Sequence, residues 1–172
     1  EAAAAQASIE ADKAAQVATF VQEMIAGIDP DRAKGLDRSL MRLMLDSAAA
    51  RASTELESQP EVHAVIESTI AKSYASLGEY ALAQEHYEAS IGASKLAGNN
   101  QAEIARTQAH AAENQFNLGK TEEAHATVKE AYSRVEDLPA EDRDRLNIES
   151  ILADIEGSLG SPEVARVRLK RI

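Results

Sequence analysis

The sequence predicts an all-α protein, a right-handed stack of antiparallel helical hairpins, and three observations carry that prediction. Of the 172 residues 44% are hydrophobic yet only 3% are aromatic, with no Trp and abundant Ala, Glu, Gln, Leu and Arg, a composition that favours helix throughout. A segment also recurs: "SLGEYALA" at 76–83 returns as "NLGKTEEA" at 117–124 and as "SLGSPEVA" at 158–165, so that Gly78, Gly119 and Gly160 stand 41 residues apart. A constant period of this size marks a stacked repeat. Finally, each glycine sits between two helical stretches, where it ends the first without a Cβ clash and is followed almost at once by an N-cap signal.

Taken in order, residues 1–59 read as two helices outside the strict repeat. "EAAAAQASIEADKAAQVATFVQEMIAGI" is rich in helix formers but gains apolar bulk only late, at Val17, Phe20, Val21, Met24 and Ile25. "DPDRAKGLD" at 29–37 is a loop by its Pro, Gly and Asp content. A second helix then carries Leu40, Leu43, Met44, Ala48, Ala52 and Leu56. Together they form an N-terminal hairpin, a stalk or a degenerate repeat that caps the stack. Residues 60–172 divide into three repeats, at 60–100, 101–141 and 142–172, the last truncated. The chain reads as a piece of a longer protein, beginning at Glu1 and ending mid-pattern at Ile172.

Within the repeats the apolar residues fall at helical spacing, as Val62, Val65, Ile66, Ile70, Tyr74 and Leu77 in the first and Ile148, Ile151, Leu152, Ile155 and Leu159 in the third. Helices turn at Gly78, Gly119 and Gly160, and loops are expected near Gly98–Asn100 and Leu138–Pro139. Thr121 before Glu122 and Glu123, and Ser161 before Pro162 and Glu163, are the expected N-caps of two second helices. Leu77, Leu118 and Leu159 keep one register, and Ala83, Ala124 and Ala165 are expected opposite Ala71, Ala112 and Ala153, small residues that let the two helices of a hairpin approach closely. Tyr74, Tyr80, Tyr87, Ile91, Val128, Tyr132 and Leu169 would fill the space between hairpins.

A small residue in the first helix, a Leu-Gly turn followed by an aromatic as in "LGEY", and an alanine five residues after the glycine resemble the tetratricopeptide repeat. The period near 41 resembles its longer-helix, kinesin-light-chain-like variety, over residues 60–172. The pattern departs from the family at Gln115 and Glu156, where Tyr74 is aromatic, and at Thr121 and Pro162, which stand where Tyr80 does. The stretch from "FVQEMIAGIDP" into the repeats is similar to the C-terminal repeat region of bacterial membrane-anchored serine/threonine protein kinases. That resemblance implies a sensor or regulatory domain of a larger signalling protein, on the extracytoplasmic side of a bacterial membrane; without it a cytoplasmic adaptor is implied.

A formal net charge of −11 disfavours nucleic acid, whose backbone needs a basic stripe. The one basic run, "RVRLKRI" at 166–172, reads as cations in the last turns of a helix. The absence of cysteine removes disulfides and thiolate metal sites, and no apolar run is long enough to span a membrane. His63, His86, His110 and His125 lack metal-ligand spacing and read as surface or groove residues, while the carboxylates read as solvated helix charges. No phosphate loop or nucleophile motif is present, so no enzyme, metal or cofactor is expected.

The family resemblance implies a groove lined by the first helix of each hairpin. It would comprise Val65, Ser68, Thr69, Lys72 and Ser76, then Arg106, Ala109, His110, Glu113, Phe116 and Asn117, then Asn147, Ser150, Asp154 and Ser158. Phe116 is either an anchor for a partner or a packing residue against a neighbouring helix. The family's clamp for chaperone tails is not reproduced, since the matching positions are Ser68, Lys72, His110, Asn147 and Ile151. The expected function is recognition of a protein or peptide, with self-association into a homodimeric scaffold as the alternative.

Overall fold

In a computed structural model, residues 38–98 and 100–160 are described, and every regular element among them is a helix. In chain order these are α1 (Arg38–Glu55), α2 (Pro60–Ser76), α3 (Tyr80–Ala97), α4 (Gln101–Asn117), α5 (Thr121–Ser133) and α6 (Arg143–Ser158). Each packs on its sequence neighbours, and α4 also touches α6, the first helix of the following hairpin. Contacts limited to neighbours are the mark of a solenoid. The helix expected at 1–28, the loop at 29–37, the caps at Ser161–Glu163, and Ala165 and Leu169 lie outside the described residues.

The turn inside each hairpin follows from one backbone requirement. Gly78 and Gly119 have φ of 75° and 77°, a left-handed conformation that crowds a Cβ. At the first turn the Gly78 N–H donates to Ala75 O and the Glu79 N–H to Tyr74 O, both at 2.9 Å. The second repeats the pattern, with Gly119 to Phe116 and Lys120 to Gln115, again at 2.9 Å. This paired closure satisfies carbonyls that the ending helix would otherwise leave open. Arg38 adds a hydrogen bond from its guanidinium to Leu77 O, joining α1 to the first turn.

Capping departs from expectation. Lys120, not Thr121, occupies the N-cap of α5, and no side chain caps α2, α3 or α5. Each of these starts within a few residues of the preceding helix, and packing holds it in place. The side-chain caps occur at α4 and α6, the first helices of the hairpins that follow, while α2 starts on Pro60. Asn100 accepts from the Glu103 N–H at 2.9 Å, and Asp142 accepts from Asp144 and Arg145 at 2.9 and 3.1 Å. The connection through Leu138 and Pro139 is longer than expected because α5 stops at Ser133. Arg145 holds it by donating to the carbonyls of Glu136 and Leu138.

Two apolar clusters form the core. The first gathers Ala48, Ala52 and Leu56 of α1 and its end with Val62, Ile66, Ile70, Ala71 and Tyr74 of α2 and Ala83 and Tyr87 of α3. The second gathers Ala105, Ala109 and Ala112 of α4, Ala124 and Val128 of α5, and Ile148 and Leu152 of α6. Ala71, Ala83, Ala112 and Ala124 have no exposed surface, which gives the close approach expected of them. Ala109 is a correction: it was expected in the groove and is fully buried, because one residue step turns the helix face by about 100° into the hairpin. Leu43, one of the apolar residues of α1, is half exposed, and Tyr80 and Tyr132, expected to fill the space between hairpins, are only half-buried. Between the clusters, Asn114 of α4 donates to the Tyr80 carbonyl and to Gln84 of α3 at 2.9 and 3.0 Å.

A buried polar slot runs through the first helices. Glu67, Gln108 and Glu149 are spaced by the repeat period and are buried in every copy. The ring nitrogens His63 Nε2 and His86 Nδ1 donate to the two oxygens of Glu67 at 3.1 and 2.6 Å. Gln108 accepts from Arg134 Nε at 2.9 Å. The His86 ring stacks on Tyr74 at 5.3 Å between centroids, and the Tyr74 hydroxyl donates to Asp46 of α1 at 2.6 Å. His63 and His86, expected as surface or groove residues, are partly buried and serve as hydrogen-bond partners of Glu67.

Candidate functional site: the groove of the first helices

The residues at the 65, 69 and 72 positions of α2 rise on one face because they are three and four apart, and the repeat period copies that face onto α4 and α6. Two hollows result. The first, about 180 Å³, lies between α2 and α4 and is lined by Ala64, Val65, Ser68, Thr69 and Lys72, by Ser90 and Ser94 of α3, and by Glu103, Arg106, Thr107 and His110. The second, about 540 Å³, lies between α4 and α6 and is lined by Arg106, His110, Arg143, Asp144 and Asn147. Arg106 and His110 belong to both, which joins the hollows into one run.

Of the residues expected in the groove, Val65, Ser68, Thr69, Lys72, Arg106, His110 and Asn147 line these hollows. Ser76, Glu113, Phe116, Asn117, Ser150, Asp154 and Ser158 lie on the same helices but outside the two hollows. Phe116 is 38% exposed, so its ring is only partly covered. Glu103, Thr107, Arg143 and Asp144 were not anticipated. Glu103 and Asp144 occupy the same position in successive copies, a signal that reading the acids as first-turn helix charges obscured.

The electrostatics differ between the two hollows. In the second, Arg106 grips Asp144 with two parallel bonds, Nε to Oδ1 at 2.8 Å and Nη2 to Oδ2 at 2.7 Å. This forked pair holds the Asp144 carboxyl below the usual carboxylate range and pushes the Arg106 guanidinium up. In the first, partial burial and then the neighbouring Arg106 charge lower the Lys72 pKa. His110 bonds Glu113 through Nδ1 at 3.2 Å, and its ring lies over Tyr87 with centroids 6.4 Å apart. The arrangement offers donors, hydroxyls and both signs of charge along an open run. Among the described residues no group of three or more His, Asp or Glu side chains converges as a metal site, and no helix is long and apolar enough to cross a membrane.

Solved structures resemble this chain along nearly its whole length. BtubC (BKLC) from P. vanneervenii superposes with a TM-score of 0.69 at 22% identity, covering 99% of this chain and 69% of the other. A P. anserina kinesin light chain with nearly identical TPR-like repeats gives 0.67 at 17% identity, covering 98% and 88%. The fold is a tetratricopeptide-like solenoid. At these identities the likeness concerns the fold. No protein family profile matches the chain, and no curated protein does.

Proposed function

We propose that the chain is a protein- or peptide-interaction module whose working surface is the groove of α2, α4 and α6. The observation that carries this reading is the continuity of the two hollows through Arg106 and His110, which gives an extended segment a run of polar contacts across three helices. Panning a random peptide library against the chain tests it: binders should compete with one another and weaken on Arg106→Ala with His110→Ala, with the melting temperature little changed. Binders indifferent to both changes would place the working surface elsewhere. Self-association is the competing use of a stacked fold. Light scattering over a concentration series distinguishes it, since a stable dimer that shields these hollows would favour a scaffold.

The role in a larger signalling protein such as a membrane-anchored serine/threonine kinase rests on the resemblance around "FVQEMIAGIDP", which lies outside the described residues. In that setting a ligand in the groove, or dimerisation, would change the proximity of two catalytic domains. The coding sequence upstream of Glu1 decides it: an apolar span of about 20 residues preceded by kinase motifs is expected, and a gene without them removes the kinase role.

A further inference from the structure

The repeat register exposes an asymmetry between the two hollows. Arg106 of α4 and Asp144 of α6 close the second hollow with their forked pair. One period earlier the same two positions hold Val65 and Glu103. Valine cannot pair with a carboxylate, so the equivalent clasp is missing between α2 and α4. Glu103 and Lys72 both line the hollow left there, and among the described residues neither charged group has a hydrogen-bond or ion-pair partner. Arg106 is no substitute partner for Glu103, because its fork is taken by Asp144 and it feels Glu103 only through space. Nor does it relieve Lys72, which it repels. The floor between the two charges is apolar, from Ala64 and Val65.

We propose that the α2–α4 hollow takes an extended peptide bearing an acidic and a basic side chain four residues apart, the acid on Lys72 and the base on Glu103. The inference rests on the groove being a peptide site and names the class of peptide. By the repeat register Lys72 lies ten residues further along its helix than Val62, the position equivalent to Glu103, an offset of roughly 15 Å at 1.5 Å per residue. In an extended chain, side chains four apart share a face at roughly 13 Å, and the reach of the Lys72 and Glu103 side chains covers the remainder. Alternate side chains between them point away from the groove. Binding forms two ion pairs and breaks none, since the Arg106–Asp144 pair stays intact. Discrimination is built in: a second acid in place of the base meets Glu103, and a second base in place of the acid meets Lys72 beside Arg106.

The test is selection from a random dodecapeptide display library on the whole chain and on two single variants, each confirmed folded by circular dichroism. The unmodified chain should enrich an acid and a base four apart, in either order, because an extended peptide can lie in either direction. Lys72→Glu should shift the enrichment to two bases, and Glu103→Lys to two acids. Affinity of a selected peptide should fall roughly fivefold or more on Lys72→Met, as expected for loss of a partly exposed pair worth about 1 kcal/mol. Enriched peptides that need Arg106 and His110 but show no charge pattern, or a pattern unmoved by the two reversals, would overturn this inference and leave the groove reading standing. No enrichment above selection on a blank surface would overturn both.

Discussion

Single residues here are set by backbone geometry and by burial. Gly119 adopts its left-handed conformation in open space, since a Cβ there would meet no atom within 4 Å, so the cost of Gly119→Ala comes from the backbone alone. A loss of about 1–2 kcal/mol is expected in urea unfolding. Gly92 is the control: it lies within α3, equally unobstructed but helical, and Gly92→Ala should gain about 0.5–1 kcal/mol. Tyr87 supplies a pH dependence. Burial, then the Glu113 charge, pushes its phenol up from 10.0 to about 12. The folded state therefore keeps a proton that the unfolded chain loses above pH 10, so the stability from the neutral phenol is full below pH 10 and declines as pH rises toward 12. Denaturant midpoints across that window should fall, and Tyr87→Phe should flatten the decline.

Among elements, the caps follow the place of the connection, inside a hairpin or between two hairpins. Glycine turns inside the hairpins deliver the chain into α3 and α5 without a capping side chain, whereas α4 and α6, which open the next hairpins, take Asn100 and Asp142. Asn100→Ala should therefore cost about 1 kcal/mol of stability in thermal or urea unfolding. The same contrast explains what could be read from the sequence. The turns were legible because a left-handed residue is a local steric demand that one glycine answers, and the spacing repeated it. The buried slot of Glu67, Gln108 and Glu149 was not, because in an alanine- and glutamate-rich helix a lone carboxylate looks like any solvated charge. Its partners His86 and Arg134 lie 19 and 26 residues away, on other helices. Seven of the residues that the family resemblance implied for the groove line the two hollows, because the repeat register carries a face from helix to helix. Ala109 failed because register alone does not separate groove from hairpin interior one residue away.

At the scale of the whole molecule, stability is a chain of neighbour contacts. Glu67→Ala removes the buried acceptor of two partly buried imidazoles and should destabilise by about 1–3 kcal/mol. Because α2 touches α1 and α3 but α5 and α6 only through intermediates, the loss should be graded along the stack. Native-state hydrogen exchange should show protection falling most in α2 and α3 and least in α6. Uniform loss across all helices would mean that the described residues unfold as one unit.

The connection between α5 and α6 has a practical consequence. It is the place where the repeat absorbs a shortened second helix without changing its period, and its outermost residues, Pro139, Ala140 and Glu141, are exposed. Arg145 anchors the carbonyls just before this tip, and Asp142 caps the helix just after it. Foreign sequence inserted between Ala140 and Glu141 would extend from a loop fixed at both ends, at a closure cost rising by only about 0.6 kcal/mol with each doubling of length. A fluorescent reporter or an affinity handle could be grafted there while Arg106 and Asp144 keep their grip across the groove, which makes this tip the natural attachment point for a biosensor built on the chain.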